Sequence, residues 1–127
     1  MLHWTDDRGT DPSIDEEHHR LYELMNKLEP VIAEGHGAQA ISSAVERLYA
    51  RLVRHFDHEE ALAEMGPENF RQLLSSDHKR LLSILGRLRG LAAAEPDVRR
   101  VVYDEFIAAL ARHDDDVDTP AFTMTTH

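Results

Sequence analysis

Nine histidines and no cysteine are the features of this 127-residue sequence that bear most directly on its chemistry. Any metal site must therefore use imidazole nitrogens and carboxylate oxygens rather than thiolates. Four of the histidines fall where a helical pattern requires a core residue, and Glu59 lies one turn beyond one of them, on the same face. These four histidines are His18, His55, His78 and His113.

Four histidines and a glutamate in one core favour a bound cation. A buried histidine must be hydrogen-bonded, and a buried carboxylate must be neutralised. A single histidine in a helix seam is more often a satisfied core residue, but one on each of four predicted helices is a different case. A shared metal satisfies all the nitrogens at once and compensates the carboxylate. Such ligands suit iron, manganese, zinc or copper, so the residue types alone leave the metal open.

The helices that position these residues are predicted from the spacing of apolar side chains. In four segments, apolar residues recur at alternating steps of four and three, which is typical of helices in a bundle. Glycine and proline separate the segments, and Pro120 disfavours helix beyond Asp118. We predict one all-α domain over residues 1–127, an antiparallel up-down-up-down four-helix bundle with an irregular N-terminal arm. The helices are expected at about 14–34, 38–65, 68–93 and 96–118.

Composition disfavours several classes of function. The chain has 14 Lys and Arg against 24 Asp and Glu, a net charge of −10, which disfavours nucleic acid and anionic membrane surfaces. No apolar run approaches the roughly 20 residues of a membrane span. The N-terminus lacks the features of a signal peptide, so a cytoplasmic location is expected.

Two familiar kinds of helical metal site do not fit the spacing. The ferritin-like di-iron site needs two Glu-x-x-His motifs, and the single match here, Glu16 with His19, places its histidine off the seam. The zinc-protease motif His-Glu-x-x-His fails because His58 and Glu59 are followed by Leu62 at the last position. A histidine-rich site with few carboxylates remains.

The sequence resembles the hemerythrin family at several points in order along the chain. The segments IDEEH at 14–18 and HFDHEE at 55–60 are followed by His78 and by His113 with Asp118 five residues later. Trp4 upstream and the long interval between His18 and His55 make it most similar to bacterial single-domain hemerythrins.

This resemblance implies two non-haem iron ions inside the bundle. His18 and His55 would bind one iron, and His78 and His113 the other. Glu59 and Asp118, with an oxo or hydroxo group, would bridge the pair. Leu21 and Leu110 would line a pocket for dioxygen, and Leu28 would extend its apolar wall.

The chain departs from the family pattern in the third helix, where Leu74 stands in place of the first histidine of His-x-x-x-His. We therefore expect six protein ligands rather than seven, and an open position beside Leu74 in the pocket. The choice of Asp118 as the bridging carboxylate rests on the resemblance alone, because helical geometry favours Asp116. We expect Asp114 to Asp116 to form a solvated run, and Tyr22 to pack in the core.

Three functions follow from these expectations. The first is dioxygen binding for storage, delivery or sensing, with a separate protein partner if the chain is a sensor. The second is a redox enzyme, or a di-iron protein that reacts with peroxide or nitric oxide at the position left by Leu74. The third is a structural bundle with a degraded site. No general acid/base pair is identifiable, which disfavours hydrolysis.

Overall fold

The computed structural model describes residues 12–64 and 66–115, without the side chains of residues 12–15. Helix α1 packs against α2 and α4, and α3 packs against the same two helices, so the four form a closed ring around one core. Short connections make consecutive helices antiparallel. The predicted all-α four-helix bundle is confirmed. Its helices are α1 (Pro12–Glu34), α2 (Ala38–Ala63), α3 (Glu68–Gly90) and α4 (Pro96–His113).

The core forms where the apolar stripes of the helices meet. Each stripe follows the four-three spacing of the sequence, because residues at these steps share one helix face. The interior is continuous from one end of the bundle to the other. Its fully buried members include Met25 and Ile32 of α1, Leu48 and Leu52 of α2, Leu81 and Leu85 of α3, and Phe106 of α4.

The helix ends differ from the expected ones by a few residues. Helix α1 begins at Pro12, two residues early, because the fixed φ of proline suits a first helical turn. Pro30 lies inside α1 with an exposed side chain, so its missing amide falls toward solvent. Helix α4 ends at His113, and Asp114 and Asp115 form a wider, π-type turn. Asp118 and Trp4 lie outside the described residues.

A buried arginine ties the end of α1 to the start of α4. Arg99 is 1% exposed and donates to the carbonyl of Ile32 at 2.6 Å, to that of Gly35 and to that of Ala94 at 3.3 Å. The carbonyls at a helix C-terminus carry partial negative charge and lack partners within the helix. The guanidinium therefore satisfies acceptors that the end of α1 leaves open.

Within residues 12–64 and 66–115, none of the helices combines the length and the apolar character that a membrane crossing requires.

Candidate metal centre

Each helix contributes one histidine to the interior of the bundle. His18, His55, His78 and His113 are between 0% and 3% exposed. They occupy the same seams as the leucines above and below them, so the apolar pattern itself carries them inward. Glu59 follows His55 by one turn of α2 and is fully buried.

The four imidazoles surround the carboxylate of Glu59. Its Oε1 lies 3.0 Å from Nε2 of His78, 3.5 Å from Nε2 of His55 and 3.9 Å from Nε2 of His113. Its Oε2 lies 3.9 Å from Nε2 of His18. One side-chain carboxylate thus faces a ring nitrogen from every helix.

These side chains divide into two groups that share Glu59. The donor atoms of His18, His55 and Glu59 lie within 4.8 Å of one another, as do those of Glu59, His78 and His113. A carboxylate has two oxygens and can serve two cations at once. The arrangement therefore offers two adjacent cation positions with a common ligand.

Three further carboxylates contact the outer nitrogens of the histidines. Glu17 lies 3.5 Å from Nδ1 of His55. Nδ1 of His78 donates to Glu60 at 3.2 Å, and Nδ1 of His113 donates to Asp77 at 2.5 Å. A metal-binding histidine commonly donates its other ring nitrogen to a carboxylate, which fixes the tautomer and turns the lone pair toward the metal.

The outer carboxylates follow a rule of position. Each one neighbours a site residue on its own helix and contacts the histidine of the next helix around the bundle. Glu17 precedes His18, Glu60 follows Glu59, and Asp77 precedes His78. The neighbour alternates between the preceding and the following residue because consecutive helices run in opposite directions. We call Glu17, Glu60 and Asp77 the outer carboxylates.

Asp114 continues this arrangement from α4 back to α1, and its expected place in a solvated run is wrong. Asp114 follows His113, is 1% exposed, and its Oδ1 lies 3.2 Å from Nε2 of His18. The hydroxyl of Tyr22 donates to its other oxygen, so Tyr22 does more than pack in the core. The wide turn after His113 directs Asp114 inward, whereas Asp115 is exposed as expected. Asp114 differs from the outer carboxylates because it contacts the inner nitrogen.

Contacts between aromatic rings fix the ring planes of the site histidines. Phe56, next to His55 in sequence, stacks on His78 with ring centroids 3.9 Å apart and planes within 6° of parallel. The rings of His18 and His55 meet edge to face at 4.5 Å, and those of His78 and His113 are tilted at 4.9 Å. The histidines therefore have little room to turn away from Glu59.

Glu17 lies close to several histidines on the His55 side of the site. Burial alone would raise the pKa of Glu17, but contact with His55 and the nearby charges of His58 and His18 outweigh it and lower that pKa below its ordinary value. His58 lies 3.1 Å from Glu17 and is 41% exposed. It leans over the outer carboxylate rather than toward Glu59.

The three leucines assigned to the dioxygen pocket are buried at 0–2% exposure. Leu21 and Leu110 belong to the continuous apolar core, and each lies three residues from a site histidine on its own helix. Leu74 precedes His78 by one turn on the same face of α3. Between Glu68 and Gly90, α3 contains no histidine other than His78.

Comparison with known proteins agrees with this geometry. The hemerythrin HHE cation-binding domain matches residues 11–124. The chain therefore belongs to the hemerythrin family. Its two buried groups of histidine and glutamate are those of a metal-binding domain. No curated protein and no solved structure matches the chain.

Proposed function

We propose that this chain is a non-haem di-iron protein that binds dioxygen for storage, delivery or sensing. The observation that carries the proposal is the buried carboxylate of Glu59, shared by two groups of ligands. Nitrogen and oxygen donors without thiolate suit iron as well as other divalent metals, and membership of the hemerythrin family favours iron.

The ligands in this proposal come from all four helices. His18 and His55 would hold one iron, His78 and His113 would hold the other, and Glu59 would be shared by both. Two irons, when bound, supply the electrons that reduced di-iron centres share with dioxygen. The cations also compensate the buried carboxylate, whose desolvation would otherwise be costly.

The rest of the chain orients the ligands and keeps water out. The outer carboxylates accept from, or lie beside, the Nδ1 atoms of three histidines, which leaves each Nε2 turned toward Glu59. Leu21, Leu28 and Leu110 are all less than 10% exposed and give the His18 side an apolar wall. Such a wall slows the entry of protons that promotes irreversible oxidation.

A second candidate function is supported by Leu74. This side chain is fully buried, one turn before His78, where the family pattern has a histidine. The His78 and His113 side of the site then has one protein ligand fewer. A more open iron favours reaction with peroxide, nitric oxide or dioxygen over reversible carriage, so the alternative is a redox enzyme.

The test compares the protein with Leu74→His. Iron-loaded protein is reduced without oxygen, exposed to dioxygen and then deoxygenated, while charge-transfer absorption is followed. Dioxygen binding predicts bands that appear and largely disappear again in the native chain. We expect Leu74→His to oxidise irreversibly at least a few-fold more slowly, because an added imidazole fills the position beside His78.

Leu73→His is the matched control, because Leu73 is 55% exposed and adjacent in sequence. It should leave the rate of irreversible oxidation unchanged. Bands that never reverse in the native chain would contradict dioxygen carriage and favour the redox alternative. Equal rates for the two histidine variants would show that Leu74 does not control reactivity.

We also propose that Asp114 binds metal on the His18 side. This role is in addition to the bridging role that family resemblance gives Asp118. Asp114→Asn should lower metal affinity by at least the roughly 10–100-fold that is typical of a carboxylate supporting a ligand, because the charged ligand itself is lost. Asp115→Asn is the control, because Asp115 is exposed. Competitive titration with a chromophoric chelator measures both. Equal affinities for Asp114→Asn and Asp115→Asn would refute a role for Asp114.

A further inference from the structure

A basic groove runs along the outside of the bundle between α1 and α2. Its volume is about 430 Å³. Five of the 14 Lys and Arg residues of this acidic chain line it. Leu24 and Ala50 form an apolar floor, and Glu23 is the one carboxylate among the residues that line it. The five cations are Arg20, Lys27, Arg47, Arg51 and Arg54.

The cations form two rows that face each other across the groove. Arg47, Arg51 and Arg54 follow one another at steps of four and three, so they share one face of α2. Arg20 and Lys27 are seven residues apart and share one face of α1. The rows extend over two helical turns, about 10 Å at the rise of an α-helix.

Most of this positive charge has no internal counterpart. Among the described residues, Lys27, Arg47, Arg51 and Arg54 make no ion pair, whereas Arg20 pairs with Glu16 at 2.5 Å. Outside the groove, Arg87, Arg89 and Arg100 pair with carboxylates, Arg87 with Glu105 at 2.7 Å. Like charges held close together repel, so this concentration disfavours folding unless an anion offsets it.

We propose that the α1/α2 groove binds a small anion that carries several phosphate groups. The three arginines of α2 can bind phosphate oxygens with paired hydrogen bonds, and Lys27 faces them from α1. The volume lies within the range of small-molecule sites. A nucleic acid or an acidic protein would also meet the rest of a surface whose net charge is −10, and a small anion would not.

None of the residues that line the groove is a ligand of the proposed metal centre. A neighbouring pocket of about 460 Å³ shares Arg20, Arg51 and Arg54 with the groove. Its other lining residues are Glu16, Glu17, His55 and His58, so the two carboxylates place the anion in the groove rather than in this pocket. The anion would lie outside the bundle, next to this second pocket. Its binding depends on the arginines and not on a bound metal.

Calorimetric titration of the purified protein with inorganic tripolyphosphate and, separately, with ATP tests the proposal. We expect saturable one-to-one binding of tripolyphosphate. In Arg47→Gln/Arg51→Gln the affinity should fall at least about tenfold, since two charge-assisted contacts are lost. Tighter binding of ATP would indicate a nucleotide whose base uses the floor at Leu24, and equal binding would indicate the phosphates alone.

The control, Arg71→Gln/Lys79→Gln, removes the same charge from exposed positions on α3. It should bind within about twofold of the native protein, since only distant charges change. Metal content is measured before and after, because chelation by phosphate would affect both variants alike. Absence of saturable binding by the native protein, or equal loss in both variants, would overturn the proposal.

Discussion

Glu59→Gln is expected to reduce the metal bound by the protein from two ions per chain to one or none. Glu59 is the only member common to the two ligand groups found among the described residues. An amide has one oxygen acceptor and no charge, so it cannot replace a shared carboxylate. The loss of affinity should exceed the about 10–100-fold typical of a supporting residue. Elemental analysis after dialysis against a defined metal concentration measures it.

Glu64→Gln provides the control for this prediction. Glu64 is exposed at the end of α2 and should retain the native metal content. After chelation, Glu59→Gln should melt at or above the temperature of the native chain, because the buried charge has been removed. Two retained ions in Glu59→Gln would show that the cations lie elsewhere.

Arg99→Met is expected to cost about 2–4 kcal/mol of folding free energy, although Arg99 contacts no other charged side chain in the described part of the chain. Methionine keeps much of the volume but donates no hydrogen bond, so carbonyls of Ile32, Gly35 and Ala94 lose their partner. For a chain of this length the melting temperature should fall by about 10 °C. Urea denaturation of the metal-free protein measures the free energy directly.

Arg100, the next residue in α4, provides the control for Arg99→Met. Arg100 pairs with Glu29 and Glu34 at 3.0 Å and with Asp104 at 3.5 Å, but its side chain is 34% exposed. Arg100→Met should cost at most about 1 kcal/mol, because water screens such pairs. Equal losses for Arg99→Met and Arg100→Met would mean that the end of α1 does not depend on the buried guanidinium.

The four-helix scaffold and the buried histidines could be predicted from the sequence, because both follow the helical repeat of apolar residues. His18, His55 and His78 replace apolar residues in stripes that have to face inward, and Glu59 is one turn from His55. Burial therefore follows from the helix geometry alone. The resemblance to hemerythrins rests on the same residues, and the family match over residues 11–124 confirms it.

The burial of Asp114 could not be predicted from the sequence, because the regular helical period ends with α4. The three consecutive aspartates after His113, Asp114 to Asp116, are predicted to be solvated when the helix is assumed to continue unchanged. The wider turn at Asp114 and Asp115 rotates one carboxylate inward. Asp118, selected by family resemblance, lies beyond the described residues and stays a prediction.

The outer carboxylates were missed for a different reason. Glu17, Glu60 and Asp77 each neighbour a site residue, which is a signal visible in the sequence. Their partners, however, lie on the next helix, and local spacing carries no information about contacts between helices. Arg99 is a harder case, because its acceptors are backbone carbonyls that any sequence of α1 would supply.

Elemental analysis of the native chain, purified without added metal, tests the di-iron proposal most directly. The shared Glu59 and the four histidines predict two iron ions per chain, both removed by chelation and both restored by ferrous iron. A stoichiometry of one metal or none after reconstitution, or two ions that are not iron, would contradict the proposed di-iron centre.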